Sequence, residues 1–126
     1  MLSKTRTVEL VKEINALFRG STKGSLKIKN FVLALPDDST FGKWNDVVEC
    51  PMAEYLYANT SADKERREFE VRDSCLYVDC YGYHVEIELP ELGKVISSDN
   101  LYSCEEENES SPVPVSHLKQ LVNFKD

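Results

Sequence analysis

Between Arg67 and Leu89 the chain alternates apolar and polar residues three times over, and this pattern restricts the fold more than any other part of it. Phe69 and Val71 alternate with Glu68 and Glu70; Leu76, Val78 and Cys80 alternate with Tyr77 and Asp79; Val85, Ile87 and Leu89 alternate with His84, Glu86 and Glu88. A period of two belongs to strands that bury one face and show the other to water. Asp73-Ser74 and Tyr81-Gly82 fit as two-residue hairpin loops. Val71 then lies opposite Leu76, Phe69 opposite Val78, Val78 opposite Val85, and Leu76 opposite Ile87, all on one face. A slip of one residue in either hairpin would carry charges into that face, so the pattern selects its own register.

Such a face needs a cover. From Thr7 to Arg19 the apolar residues Leu10, Val11, Ile14, Leu17 and Phe18 recur at spacings of three and four, the stripe of an amphipathic helix. Gly20 follows at the position that favours a left-handed conformation, and Ser3, Thr5 or Thr7 can cap the start. Near the other end, Ser116 can cap a short helix carrying Leu118, Leu121 and Val122. The expected fold class is therefore α+β, an N-terminal amphipathic helix packed on a mostly antiparallel sheet with a short C-terminal helix.

The intervening segments are read as follows. Ser21 to Gly24 is a turn, and Leu26 to Leu35 is a strand stopped by Pro36-Asp37-Asp38. Ser39 to Asp46 is a loop. Val47 to Cys50 and Ala53 to Ala58 are short strands split by Pro51, with a helix from Met52 to Tyr57 as the competing assignment. Thr60 to Arg67 is an exposed charged connection. Lys94 to Ile96 and Leu101 to Ser103 are weak strands, and residues 105–115 form an exposed acidic linker. At 126 residues, with 41% apolar and 29% charged side chains, the chain is expected to fold as a single domain over 1–126 without metals or disulfides.

The net charge of −7 is unevenly spread: residues 1–29 hold seven bases against two acids, so everything after them carries −12. An acidic surface of that size repels phosphates and attracts basic partners. Nucleic acid and membrane are accordingly not expected as partners, and the interrupted N-terminal apolar pattern gives no signal peptide. Cys50, Cys75, Cys80 and Cys104 then read as reduced thiols in a cytoplasmic protein. Cys75, Cys80 and His84 have a C-x4-C-x3-H spacing, but residues five apart along a strand point to opposite faces, so no metal or cofactor is expected.

No phosphate loop, nucleophile elbow or zinc-protease motif occurs, and His84 and His117 are the only imidazoles. The most chemically capable surface is the second face of the meander, which pairs Asp79 with His84, Tyr77 with Glu86 and Glu70 with Tyr77. An Asp–His pair can supply a general base, yet an ordinary solvated cross-strand pair explains it without a nucleophile or oxyanion donor, and no catalytic residue is assigned. Ser103 before Glu105 and Glu106 matches an acidic-directed phosphorylation site, a pattern common by chance. Tyrosine among carboxylates suits a protein hot spot with electrostatic steering. The expected function is a protein-binding or inhibitor module, of the immunity-protein or antitoxin kind, acting on a basic toxin. Its contact residues are Tyr77, Asp79, His84, Glu86 and Glu88, with Glu105, Glu106 and Glu107 extending the field. A small enzyme using the Asp/His/Glu face and a structural or assembly factor are the alternatives.

Overall fold

The computed structural model describes residues 3–19, 21–44, 46–72, 74–80, 83–97 and 111–124, the side chains of 21, 79, 80, 83, 84 and 124 excepted. The meander forms as its alternation requires: β2 (Phe69–Arg72), β3 (Cys75–Cys80) and β4 (Tyr83–Glu88) make a three-stranded antiparallel sheet in that order. Its register sets Phe69 opposite Val78, Val71 opposite Leu76, Leu76 opposite Ile87 and Val78 opposite Val85. Phe69, Val71, Leu76 and Val78 are fully buried, while Val85 and Ile87 at the β4 edge are half-buried.

Helix α1 (Lys4–Phe18) covers that face, packing against β3. Ser3 caps it by accepting the Arg6 N–H at 3.1 Å, and Arg19 closes it in the left-handed region at φ 34°. Leu10, Ile14 and Phe18 are buried and Leu17 is half-buried, so the helical stripe faces the core. At the other end of the chain, helix α5 (Val115–Phe124) buries Val115, Leu118 and Val122.

Several segments depart from the sequence reading. Residues expected to form a turn and a strand instead make helix α2 (Ser21–Leu33). Gly24, Ile28 and Val32, four apart, form its buried line. Gly24 has to be glycine: a Cβ there would stand 2.9 Å from the Phe18 carbonyl oxygen and 2.8 Å from Pro90 Cγ. Residues expected as a loop contain β1 (Thr40–Lys43), with Gly42 at φ 76° turning the chain against Pro51.

The stretch read as a strand after Pro51 is the competing helix, α3 (Pro51–Asn59). Proline fits its first turn, where an N–H has no helical partner. Cys50 serves as N-cap, its Sγ accepting the Ala53 N–H at 3.4 Å. Val47 to Cys50 is a turn rather than a strand, although the Val47 carbonyl accepts the Val71 N–H at 2.8 Å. Lys94 to Ile96, expected as a strand, belongs mostly to a short helix α4 (Glu91–Val95) that begins after Pro90.

The acidic linker expected over 105–115 does not reach Val115. Pro112–Pro114 form β5, which pairs antiparallel with β1, and Val113 is fully buried. Prolines cannot donate to a ladder, and neighbours take over: Trp44 N–H donates to the Ser111 carbonyl at 2.8 Å and Val115 N–H to that of Ser39 at 3.0 Å. Residues 105–110 and the strand expected at Leu101 to Ser103 lie outside the described residues.

An aromatic contact joins these pieces to the main core. Phe31 of α2 meets Tyr55 of α3 edge-on at 5.1 Å and Phe41 of β1 at 5.4 Å. The charged connection at Thr60 to Arg67 is also anchored. Arg6 Nη2 donates to the Ser61 carbonyl at 2.7 Å and to Glu68 Oε1 at 3.2 Å, while Glu68, only 3% exposed, also accepts the Asp63 N–H at 2.8 Å. Ser61 donates its N–H to Glu13 at 2.8 Å and its hydroxyl to the same carboxylate.

Candidate functional site

The outer face of the meander is built by the alternation that buries the inner one. Register places its residues in rows across the three strands. Arg72, Cys75 and Glu88 form one row, Glu70, Tyr77 and Glu86 the next, and Asp79 and His84 are opposite each other in the third. All the cross-strand pairs expected on this face are therefore in register; the Asp79 and His84 side chains lie outside the described part.

Tyr77 is half-buried at the centre. The Arg72 guanidinium sits over its ring, 5.1 Å from the centroid, and Arg72 Nη2 donates to Glu70 Oε1 at 2.6 Å. Arg67 adds a longer ion pair to Glu70 at 3.6 Å. The stack and the ion pair hold Arg72 between an aromatic face and a carboxylate. Glu86 is exposed and has no ion-pair partner among the described residues. Glu88 is exposed as well, and Lys94 of α4 donates to its Oε2 at 2.6 Å. That hydrogen bond holds the Glu88 carboxyl below the usual carboxylate range and pushes the Lys94 ammonium up.

The face is thus less uniformly acidic than its sequence suggests. Its β2 side is neutralised by Arg72 and Glu88 is paired with Lys94, which leaves Glu86 as the carboxylate of this face without an ion-pair partner among the described residues. Arg72 and Lys94 are neighbours of this candidate face that sequence reasoning missed. The first was accessible from the register, which puts Arg72 diagonal to Tyr77; the second required knowing that α4 folds back beside β4. Glu105, Glu106 and Glu107 lie outside the described residues.

The two edges of the sheet differ. On β2, Tyr57 of α3 donates its hydroxyl to the Phe69 carbonyl at 2.6 Å and accepts the Phe69 N–H at 2.8 Å, and the Val71 N–H is taken by Val47. On β4, a groove of about 340 Å³ opens between the sheet and the end of α1, lined by Asn15, Phe18, Ile87, Leu89 and Pro90 and by the Glu88–Lys94 ion pair.

A second cleft of about 360 Å³ lies elsewhere, lined by Asp46, Val48, Glu49, Lys64, Glu65 and Arg67. Lys64 bridges Glu49 at 3.5 Å and Glu54 at 3.2 Å, and Lys43 meets Glu49 at 3.1 Å. Hydrogen bonding to Glu54 raises the Lys64 pKa above its ordinary value. These charges satisfy one another and read as a structural cluster.

Among the described residues no helix is long and apolar enough to cross a membrane. No known protein family, curated protein or solved structure matches the chain.

Proposed function

We propose that this protein is a cytoplasmic protein-binding module, an inhibitor of the immunity-protein or antitoxin kind, and that it receives a basic protein partner on the outer face of the meander. The observation that carries the reading is the row Glu70–Tyr77–Glu86, an aromatic ring flanked by carboxylates across a three-stranded sheet. A tyrosine already held by a stacked Arg72 costs little to order on binding, which is where an anchor gains affinity. Exposed Glu86, with Glu88 beside it in its pair with Lys94, on a chain of net charge −7, supplies the field that accelerates encounter with a basic surface. Cys50, buried and used as a sulfur acceptor at the start of α3, suits a reducing compartment.

The partner is captured on immobilised protein and its binding followed by stopped-flow across a salt series. Reversing Glu86 and Glu88 to lysine should slow association about tenfold at low salt and flatten its salt dependence. Tyr77→Ala should leave association nearly unchanged and speed dissociation about thirtyfold, as expected of an anchor worth about 2 kcal/mol. Wild-type rates in both variants would remove this face as the contact surface.

A further inference from the structure

The edge of β4, which pairs with no further strand among the described residues, specifies how a basic partner would be held. Val71 N–H points away from β3, to Val47, so Glu70 and Arg72 are the β2 residues whose backbone groups face β3. Antiparallel ladders alternate strictly. Tyr77 and Cys75 therefore turn their backbone groups toward β2, while Leu76 and Val78 turn theirs toward Ile87 and Val85 of β4. The Leu89 N–H bond to the Ser74 carbonyl at 3.4 Å continues that parity. It follows that the N–H and C=O of Glu86 and Glu88 point outward, off the sheet.

On β2, the opposite edge of this sheet, such groups are engaged, and β5 of the other sheet is blunted by its prolines. Tyr57 and Val47 occupy the outward groups of β2, and β5 carries Pro112 and Pro114. β4 has no proline, and among the described residues nothing hydrogen-bonds to the backbone of Glu86 or Glu88. Beside this edge the apolar residues Val85 and Ile87 are only half-buried, and the groove along Phe18, Leu89 and Pro90 runs next to them.

We propose that the partner contributes an extended segment that adds to the sheet as a strand beside β4, with basic and aliphatic residues in alternation. Side chains on its outer face would lie beside Glu86 and Glu88, which selects lysine or arginine; those on its inner face would lie beside Val85, Ile87 and the groove, which selects aliphatic residues. This rests on the basic-partner reading above and adds the backbone pairing to it. Exposed glutamates on an edge strand also discourage self-pairing, and they do so without repelling a strand of opposite charge.

The probe is an eight-residue peptide alternating lysine and valine, compared with octalysine and with a glutamate–valine peptide. Titration is followed by amide chemical shifts and amide exchange. The lysine–valine peptide should bind saturably, slow exchange at Glu86 and Glu88 about tenfold, and bind about tenfold more weakly to Glu86→Pro, which lacks the outward N–H, than to Glu86→Gln, which lacks only the charge. A probe-side control avoids any misfolding of the proline variant. N-methylation of the peptide at its lysines or at its valines should abolish binding in one case only, because alternate amides face β4.

Equal affinity for Glu86→Pro and Glu86→Gln, with both methylated peptides still bound, would overturn strand addition and leave a basic partner on the sheet face intact. Octalysine binding as tightly as the alternating peptide would overturn it in favour of charge alone. Binding of neither basic peptide would count against both the strand and the basic partner.

Discussion

Tyr57→Phe removes a single oxygen and tests how the β2 edge is sealed. The hydroxyl donates to the Phe69 carbonyl and accepts the Phe69 N–H, so one atom satisfies both outward groups of a fully buried residue. Phenylalanine keeps the ring packing against Phe69, whose centroid lies 5.5 Å away. What is lost is two hydrogen bonds, with their former backbone partners left unsatisfied, a cost of about 1–3 kcal/mol. With a urea m-value of about 1–3 kcal/mol/M, the midpoint should fall by about 1 M.

The same site has a pH signature. Burial pushes the Tyr57 phenol up from 10.0 to about 12, the hydrogen bond to the Phe69 backbone partly opposing it. The folded state therefore prefers the neutral phenol. Its contribution is complete below pH 10 and is lost as pH rises toward 12. The wild-type advantage over Tyr57→Phe should shrink across that window. Tyr55, raised by burial alone, is common to both proteins and cancels. Equal urea midpoints at neutral pH, or a gap unchanged between pH 10 and 12, would refute the edge-sealing role.

Three further substitutions test the packing. Leu10→Ala, at a fully buried position of α1, should cost about 2–5 kcal/mol in urea unfolding. Arg6→Met leaves the buried Glu68 without its cation and should cost about 3 kcal/mol, read the same way. Gly24→Ala sets a helix-propensity gain of about 1 kcal/mol against a Cβ forced on the Phe18 backbone oxygen, and the clash should win by about 1–2 kcal/mol in thermal unfolding.

The meander was legible down to its register because three successive alternations and two short loops leave one arrangement that keeps Glu70, Glu86 and Glu88 out of the core, whereas the burial of Glu68 against Arg6 was not legible. The α1 stripe was legible for the same reason, with period 3.6 in place of 2. Helix α2 was not. Leu26 and Ile28 alternate with Lys27 and Lys29 as a strand would, and the buried line Gly24–Ile28–Val32 begins with a residue that carries no apolar side chain. Only the approach of Phe18 and Pro90 to Gly24 reveals why glycine stands there. Helix α3 was obscured by Pro51, which breaks strands and also starts helices, and by a cysteine as its cap. The candidate face followed from the register, so its strand residues were identified together. The Lys94 contact to Glu88 depends on a tertiary turn after Pro90 that no local pattern encodes.

A basic protein partner bound, as proposed, on the meander's outer face and at its β4 edge would shield the backbone there. Backbone hydrogen exchange on the complex with the captured partner, compared with the protein alone, tests it most directly. Exchange should slow at residues 84–88, most at the outward amides of Glu86 and Glu88, with α2 unchanged. Protection confined to α2, which exposes Leu26 and Leu33 and carries Lys23 and Lys27, with β4 exchanging as in the free protein, would contradict it.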